Sequence, residues 1–141
     1  MSRLEVQFLD QGLHRVLFDA MPMPVFVVDE DVGLLEYNAA AAQLLGANRH
    51  KVLRRRAGDL LHCLHALETP GGCGRSPSCP GCVVRQSVRA AARGRRVTRQ
   101  LTQLELLDEG KARTVNLRVS CQPITFERHS FVLLILEGLN D

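Results

Sequence analysis

Residues 19–46 read DAMPMPVFVVDEDVGLLEYNAAAAQLLG and carry the local patterns that decide the fold. Residues 25–29 are apolar and rich in valine, which predicts a buried strand, and residues 34–37 predict a second strand after a turn that contains Gly33. Asn38 can cap a helix over residues 39–45. This stretch therefore predicts a β-hairpin followed directly by a short helix.

Upstream of this stretch, apolar side chains recur at helical spacing over residues 3–19, and the Met-Pro-Met-Pro run at 21–24 ends the pattern. The apolar positions that share one face are Leu9, Leu13, Val16 and Leu17. Such a stripe can pack on the domain's own sheet or form the contact between two copies of the chain, and the sequence leaves both open. We expect residues 1–20 to form an amphipathic helix that is a candidate homodimer contact, and residues 21–141 to form the rest of the domain.

Downstream, three segments have the patterns of β-strands: residues 97–107, 113–123 and 128–137. The middle segment alternates apolar and polar positions, as a strand covered on one face does. The last contains a continuous apolar run, as expected of a central strand covered on both faces. A helix with its arginines outside is predicted before them, over residues 83–93. The element order predicts a single α+β domain with a five-stranded antiparallel sheet flanked by short helices.

The bulk composition narrows the class of protein. The chain has 141 residues, 45% hydrophobic and 23% charged, which suits one globular core. Its net charge of +3 and its 4% aromatic content do not favour a nucleic-acid partner. The N-terminus lacks the pattern of a signal peptide and no apolar run is long enough to cross a bilayer, so we expect a cytoplasmic protein without a membrane partner.

Catalytic motifs are absent from the sequence. It has no glycine-rich phosphate loop, no catalytic serine or cysteine motif, and no histidine-kinase or cyclase signature. We therefore expect that the chain is not an enzyme.

The cysteines form the most unusual cluster in the chain. Four of five fall within twenty residues, in a C-x9-C-x5-C-x2-C array. They are Cys63, Cys73, Cys79 and Cys82. In a reducing compartment such thiols bind a metal or cluster more often than they form disulfides. The fifth, Cys121, is predicted to be a small core residue because it faces inward on an alternating strand.

Four thiolates suit tetrahedral Zn²⁺ or an iron–sulfur cluster. We favour the cluster, whose redox state can change. Zinc as a structural staple in a protein-interaction module remains an alternative. The pair Cys79 and Cys82, with CxxC spacing at the start of a helix, also admits a thiol–disulfide switch.

The pattern DAMPxxVFVVD followed by YNAAAAxLLG, together with the order of elements, resembles the PAS domain family over about residues 15–138. The segment from Gly58 to Cys82 resembles a cysteine-bearing subgroup of PAS domains in bacterial signalling proteins. This resemblance implies a ligand cavity between the sheet and the short helices, with all four cysteines within or beside the segment that contacts a cofactor. It also implies a sensory domain that relays redox, oxygen or metal status to a partner such as a histidine kinase or another output domain.

Overall fold

The computed structural model describes residues 12–45, 55–56, 58, 63, 66, 69–76, 79–108 and 110–138. The elements within these residues are, in chain order, α1 (Leu13–Ala20), β1 (Val25–Val28), β2 (Leu34–Tyr37), α2 (Ala39–Leu45), a single 3-10 turn (Cys79–Gly81), α3 (Val83–Ala92), β3 (Val97–Asp108), β4 (Lys111–Phe126) and β5 (His129–Gly138). The sequence also predicts a helix after Gly58, with residues 60, 63, 64 and 67 on one face, and this segment lies largely outside the described residues. No helix in the described ranges is long and apolar enough to span a membrane.

The strands of the described chain form a five-stranded sheet in the order β2-β1-β5-β4-β3, and every neighbouring pair is antiparallel. This confirms the predicted α+β class and the antiparallel sheet. The apolar strand β5 lies at the centre, between β1 and β4, as its composition predicts. Its burial alternates along the strand, so one face is fully buried and the other only partly covered. The predicted coverage of both faces is therefore correct on one face only.

The hairpin between β4 and β5 differs from the prediction at its turn. The sequence predicts a turn over residues 125–127, but Phe126 pairs with His129 and the turn is the two residues Glu127 and Arg128. Both have positive φ values, 49° and 67°. Two-residue hairpins require this conformation, which glycine or asparagine usually supplies. Because neither residue is present, the sequence contains no local pattern that marks this turn.

The core lies between one face of the sheet and the helices α2 and α3. From α3 the buried side chains Val84, Val88 and Ala91 join the core cluster, as the helical pattern predicts. From β4 the side chains Leu117, Val119 and Cys121 are buried in the same cluster. Cys121 is therefore a core residue, and its burial raises the pKa of the thiol to about 12.

Asn38 joins the first hairpin to α2. Its side chain is fully buried, and Oδ1 accepts hydrogen bonds from the backbone N–H of Ala41 and of Val25, both at 3.0 Å. Its Nδ2 donates to the carbonyl oxygen of Met23 at 3.0 Å. The predicted helix cap is confirmed, and the same amide also fixes the start of β1.

Helix α1 ends at the Met-Pro run, as predicted, but it begins only after Gly12, whose φ of 98° is left-handed. Residues 1–11 of the predicted helix lie outside the described residues. Two members of the predicted stripe, Val16 and Leu17, are 62% and 58% exposed. Leu9 lies outside the described residues. Within the described chain these two side chains are not covered by the domain's own sheet, and the homodimer contact stays a prediction.

Candidate functional site

The turn between β1 and β2 is built around the carboxylate of Asp29. Its Oδ1 accepts hydrogen bonds from the backbone N–H of Asp31 at 2.9 Å and of Gly33 at 2.8 Å. A Cβ atom at Gly33 would lie 2.7 Å from Asp29 Oδ2, so the carboxylate can occupy this position only beside a glycine. This packing explains why Gly33 follows the acidic turn residues.

Val32, in the same turn, has an unfavourable backbone conformation. Its φ is 63°, in the left-handed region, where a β-branched residue is a steric outlier. Its side chain is buried in the core, and its N–H donates to the carbonyl oxygen of Asp29 at 3.0 Å. Such a conformation persists only where the surroundings hold it in place.

A cavity of about 270 Å³ lies between the sheet and the segment that contains the 3-10 turn and the start of α3. All four cysteines of the array line this cavity: Cys63, Cys73, Cys79 and Cys82. Residues 102–106 of β3 and two leucines of β5 form the opposing wall. Cysteines that are separate in the sequence therefore line one cavity.

Local structure accounts for the position of each cysteine. Cys63 forms an isolated antiparallel bridge with Leu106 of β3. Cys79 is buried in the 3-10 turn, and Cys82 is the residue before the first turn of α3, with a carbonyl that accepts from the N–H of Gln86. Cys73 lies in the glycine-rich loop and is half-buried.

The four thiols do not form a single coordination sphere. Among the described residues, no three His, Cys, Asp or Glu side chains lie close enough together to hold one metal ion. The structure therefore brings the four predicted ligands to one cavity, and it does not bring them to a common point.

Arg85 differs most from its predicted position. The helical pattern predicts it on the outer face of α3, but its side chain is only 5% exposed. Its Nη1 donates to Asp31 Oδ1 at 2.6 Å, and its Nη2 donates to the Asp31 carbonyl oxygen at 3.3 Å and to Cys73 Sγ at 3.2 Å. Burial alone would lower the pKa of Arg85, but the hydrogen bonds to Asp31 and Cys73 outweigh it and raise that pKa.

The carboxylate of Asp31 forms ion pairs with three arginines. Besides Arg85, its carboxylate accepts from Arg56 Nε at 2.9 Å and from Arg75 Nη2 at 3.1 Å. Arg56 also donates to the carbonyl oxygen of Gly71. Burial raises the pKa of Asp31, but the hydrogen bonds from the three guanidinium groups outweigh it and hold that pKa well below its usual range. The loop that contains Cys73 and Arg75 is thus linked to the β1–β2 turn through the carboxylate of Asp31.

Two glycines allow the close packing around Cys73 and Arg85. A Cβ at Gly58 would lie 2.7 Å from Cys73 Sγ. Gly74 has a φ of +85°, and a Cβ there would overlap the guanidinium of Arg85. Glycine at these two positions therefore leaves room for a sulfur atom and a guanidinium group.

Sequence reasoning missed Arg85 and Asp31. An arginine beside an apolar stripe is usually solvated, and acidic residues in a turn usually serve the turn. The one local indication was that Arg85 follows the inward-facing Val84 and precedes Val88 by three positions, so that it borders the buried face.

Comparisons with known proteins agree with this architecture. The profile of the family described as "PAS domain" matches residues 12–76. No curated protein sequence matches the chain. The matched segment covers the first hairpin, α2 and the first two cysteines of the array.

Solved structures with a similar fold include the PAS domain of nitrogen regulation protein NR(II) from Vibrio parahaemolyticus, at 15% identity and a TM-score of 0.57 over 91% of this chain and 99% of that one. The PAS domain of an HTR-like protein from Haloarcula marismortui has 16% identity and a TM-score of 0.57 over 93% and 98% of the two chains. A PAS domain from a two-component sensor histidine kinase has 11% identity and a TM-score of 0.59 over 94% and 98%. At these identities the likeness concerns the fold. The chain therefore has the fold of a PAS domain, and the profile of that family matches its residues 12–76.

Proposed function

We propose that this PAS domain senses its signal through a metal centre held in the cavity by Cys63, Cys73, Cys79 and Cys82, with an iron–sulfur cluster as the occupant. The observation that carries the proposal is that all four cysteines of the array line one cavity. Thiolate sulfur is the donor that iron–sulfur clusters use in proteins. When bound, a cluster supplies a group that can change its redox state.

The size of the cavity supports a compact occupant. Its volume of about 270 Å³ is small beside the roughly 300–1,000 Å³ of sites for drug-sized organic ligands. An inorganic cluster is compact, and it needs sulfur donors on several walls rather than a long apolar groove.

The spacing of the thiols favours a cluster over a single zinc ion. Tetrahedral Zn²⁺ with four thiolates holds the sulfur atoms within about 4 Å of one another. The described cysteines line the cavity without any three of them converging at metal-binding distance. A cluster has several iron atoms and accepts ligands that are farther apart, so it requires less movement of the loop.

We propose that the domain relays the state of the centre to a signalling partner such as a histidine kinase or another output domain, in the cytoplasm and without catalysis of its own. The PAS neighbour from a two-component sensor histidine kinase supports this class of partner. The exposed Val16 and Leu17 of α1 support a homodimer contact at the N-terminal helix.

Anaerobic purification or reconstitution with iron and sulfide tests the proposal. We expect a coloured protein with visible absorption, iron and acid-labile sulfide in amounts that match a cluster. Replacing Cys79 with alanine should abolish the colour, whereas the matched variant Cys121→Ala should keep it, because Cys121 lies in the core and does not line the cavity.

Two other results would refute the cluster. A colourless protein with one zinc per chain would make the site a structural staple of an interaction module. A protein without metal whose cysteine thiols are lost reversibly on mild oxidation would be a thiol–disulfide switch.

A further inference from the structure

We propose that Arg85 couples the occupancy of the cysteine-lined cavity to the conformation of the β1–β2 turn. It is a positioning residue: its Nη2 donates to the sulfur of Cys73 and to the main-chain oxygen of Asp31, and its Nη1 donates to the Asp31 carboxylate. The identity of the occupant rests on the proposed function. The link between sulfur and turn rests on the contacts of Arg85 alone.

The key contact is a nitrogen that two acceptors share. Arg85 Nη2 lies 3.2 Å from Cys73 Sγ and 3.3 Å from the main-chain oxygen of Asp31. The guanidinium group of Arg85 is planar and rigid. When its Nη2 moves toward one acceptor, the hydrogen bond to the other acceptor therefore weakens. Any change at the Cys73 sulfur therefore changes the hydrogen bond to the turn.

The turn can respond because its conformation needs external support. The carbonyl that Arg85 binds belongs to the peptide group between Asp31 and Val32, and Val32 has the left-handed φ of 63°. A β-branched residue there is strained and stays so only while its neighbours fix it. Loss of the Arg85 bond removes one of these restraints, so the turn has a second, relaxed arrangement available to it.

Charge gives the direction of the coupling. Three guanidinium groups converge on the single carboxylate of Asp31, which leaves two positive charges in excess (three minus one). A site of four thiolates with Zn²⁺ or with a dipositive cluster carries two negative charges (four minus two). Arg85 is the most buried of the three arginines, so its attraction to the loaded site is the least screened by solvent. Loading should therefore draw Arg85 toward sulfur and away from the turn.

The turn is connected to the centre of the sheet. Asp29 follows the last residue of β1, and Val28 of β1 pairs with Val132 of the central strand β5. Gly33 also bridges to Arg56. A relaxed turn would thus alter the end of a strand that contacts the middle of the sheet.

Hydrogen exchange at the turn amides tests the coupling. The N–H groups of Val32 and Gly33 both donate to Asp29, so their exchange reports on opening of the turn. In the wild-type chain we expect loading with iron and sulfide, or with Zn²⁺, to speed their exchange by about tenfold, a factor within the range set by the strain of such a residue. Replacing Arg85 with methionine should keep metal binding and remove this difference.

Matched variants keep the result interpretable. Arg89→Met makes the same substitution one helical turn later at an exposed position, and it should retain the tenfold response. Arg85→Lys keeps the positive charge but has a single nitrogen in place of the guanidinium group. This variant should fold and bind the metal, but metal binding should no longer speed the exchange of the turn amides. If Arg85→Lys and Arg85→Met load metal and keep the full wild-type response, the proposal is wrong.

Failure of the proposed function is a separate outcome. If the wild-type chain binds neither iron nor zinc, the cofactor assignment fails and Cys73→Ala supplies the perturbation at sulfur. That variant should change the exchange of Val32 and Gly33 in the wild-type background and leave it unchanged in the Arg85→Met background. A Cys73→Ala effect of the same size in both backgrounds would overturn the coupling.

Discussion

Replacing Asp31 with alanine is expected to lower the free energy of unfolding by about 3 kcal/mol, mainly because Arg85 loses its carboxylate partner. Removing one partner of a buried ion pair costs about 3–5 kcal/mol, because the other charge stays buried without compensation. The lower end applies here, because the side chain of Asp31 is 38% exposed and solvent already screens part of the interaction. Arg56 and Arg75 are more exposed than Arg85, and each loss should add less than about 1 kcal/mol.

Urea unfolding followed by circular dichroism, on metal-depleted protein, measures this loss without a contribution from a bound cofactor. In a separate thermal unfolding experiment, the same loss of stability should lower the melting temperature by about 10 °C for a chain of this size. The double variant Asp31→Ala with Arg85→Met should be more stable than Asp31→Ala alone, because it removes the unpaired buried charge. Asp31→Asn, which keeps the shape and an acceptor oxygen, should fall between the wild type and Asp31→Ala.

Two results would refute this reasoning. If Asp31→Ala stays within about 0.5 kcal/mol of the wild type, the three arginines are adequately solvated without the carboxylate. If the double variant is less stable than Asp31→Ala, the guanidinium of Arg85 stabilises the fold through contacts other than its ion pair with Asp31.

Three further predictions concern the β1–β2 turn and the Asn38 cap of α2. Asn38→Ala should lower the free energy of unfolding by about 2–3 kcal/mol, because it removes the cap of α2 and leaves a buried strand amide without its acceptor; a loss below about 1 kcal/mol in urea unfolding would contradict this account. Gly33→Ala should destabilise the fold by about 1–3 kcal/mol, since the new Cβ would lie 2.7 Å from Asp29 Oδ2, whereas the control Gly81→Ala, which has open space at its Cβ, should change the urea midpoint little. The lowered pKa of Asp31 means that its stabilising contribution is fully present above its unfolded pKa of about 3.9 and is lost as the pH falls toward the folded value. The difference in stability between the wild type and Asp31→Ala should therefore narrow below about pH 4, and a gap that widens on acidification would show that the sign is wrong.

Local sequence patterns were sufficient to predict the strands, the Asn38 cap of α2 and the central position of β5. Alternation along β4 and the unbroken apolar run of β5 are properties of consecutive residues. The alternation predicts the buried face of β4, and the apolar run predicts the central position of β5, although one face of β5 is only partly covered. Asn38 is predictable for the same reason, because a cap acts on residues that follow it within one turn. The turn of Glu127 and Arg128 was not predictable, since its positive φ values are imposed by the pairing of two long strands.

The sequence also identified the four cysteines as the unusual feature, but their arrangement along one cavity, without convergence on one point, follows from the folded chain. The tertiary structure alone decided that Arg85 is buried. Helical periodicity describes where a side chain points around its own axis, and Arg85 borders the apolar face. Whether such a residue turns outward to water or inward depends on an acceptor, and its acceptor Asp31 lies fifty-four positions earlier in the chain. A charged group can be buried only where a partner offsets the loss of water, and that partner is brought into place by the fold rather than by the neighbouring sequence.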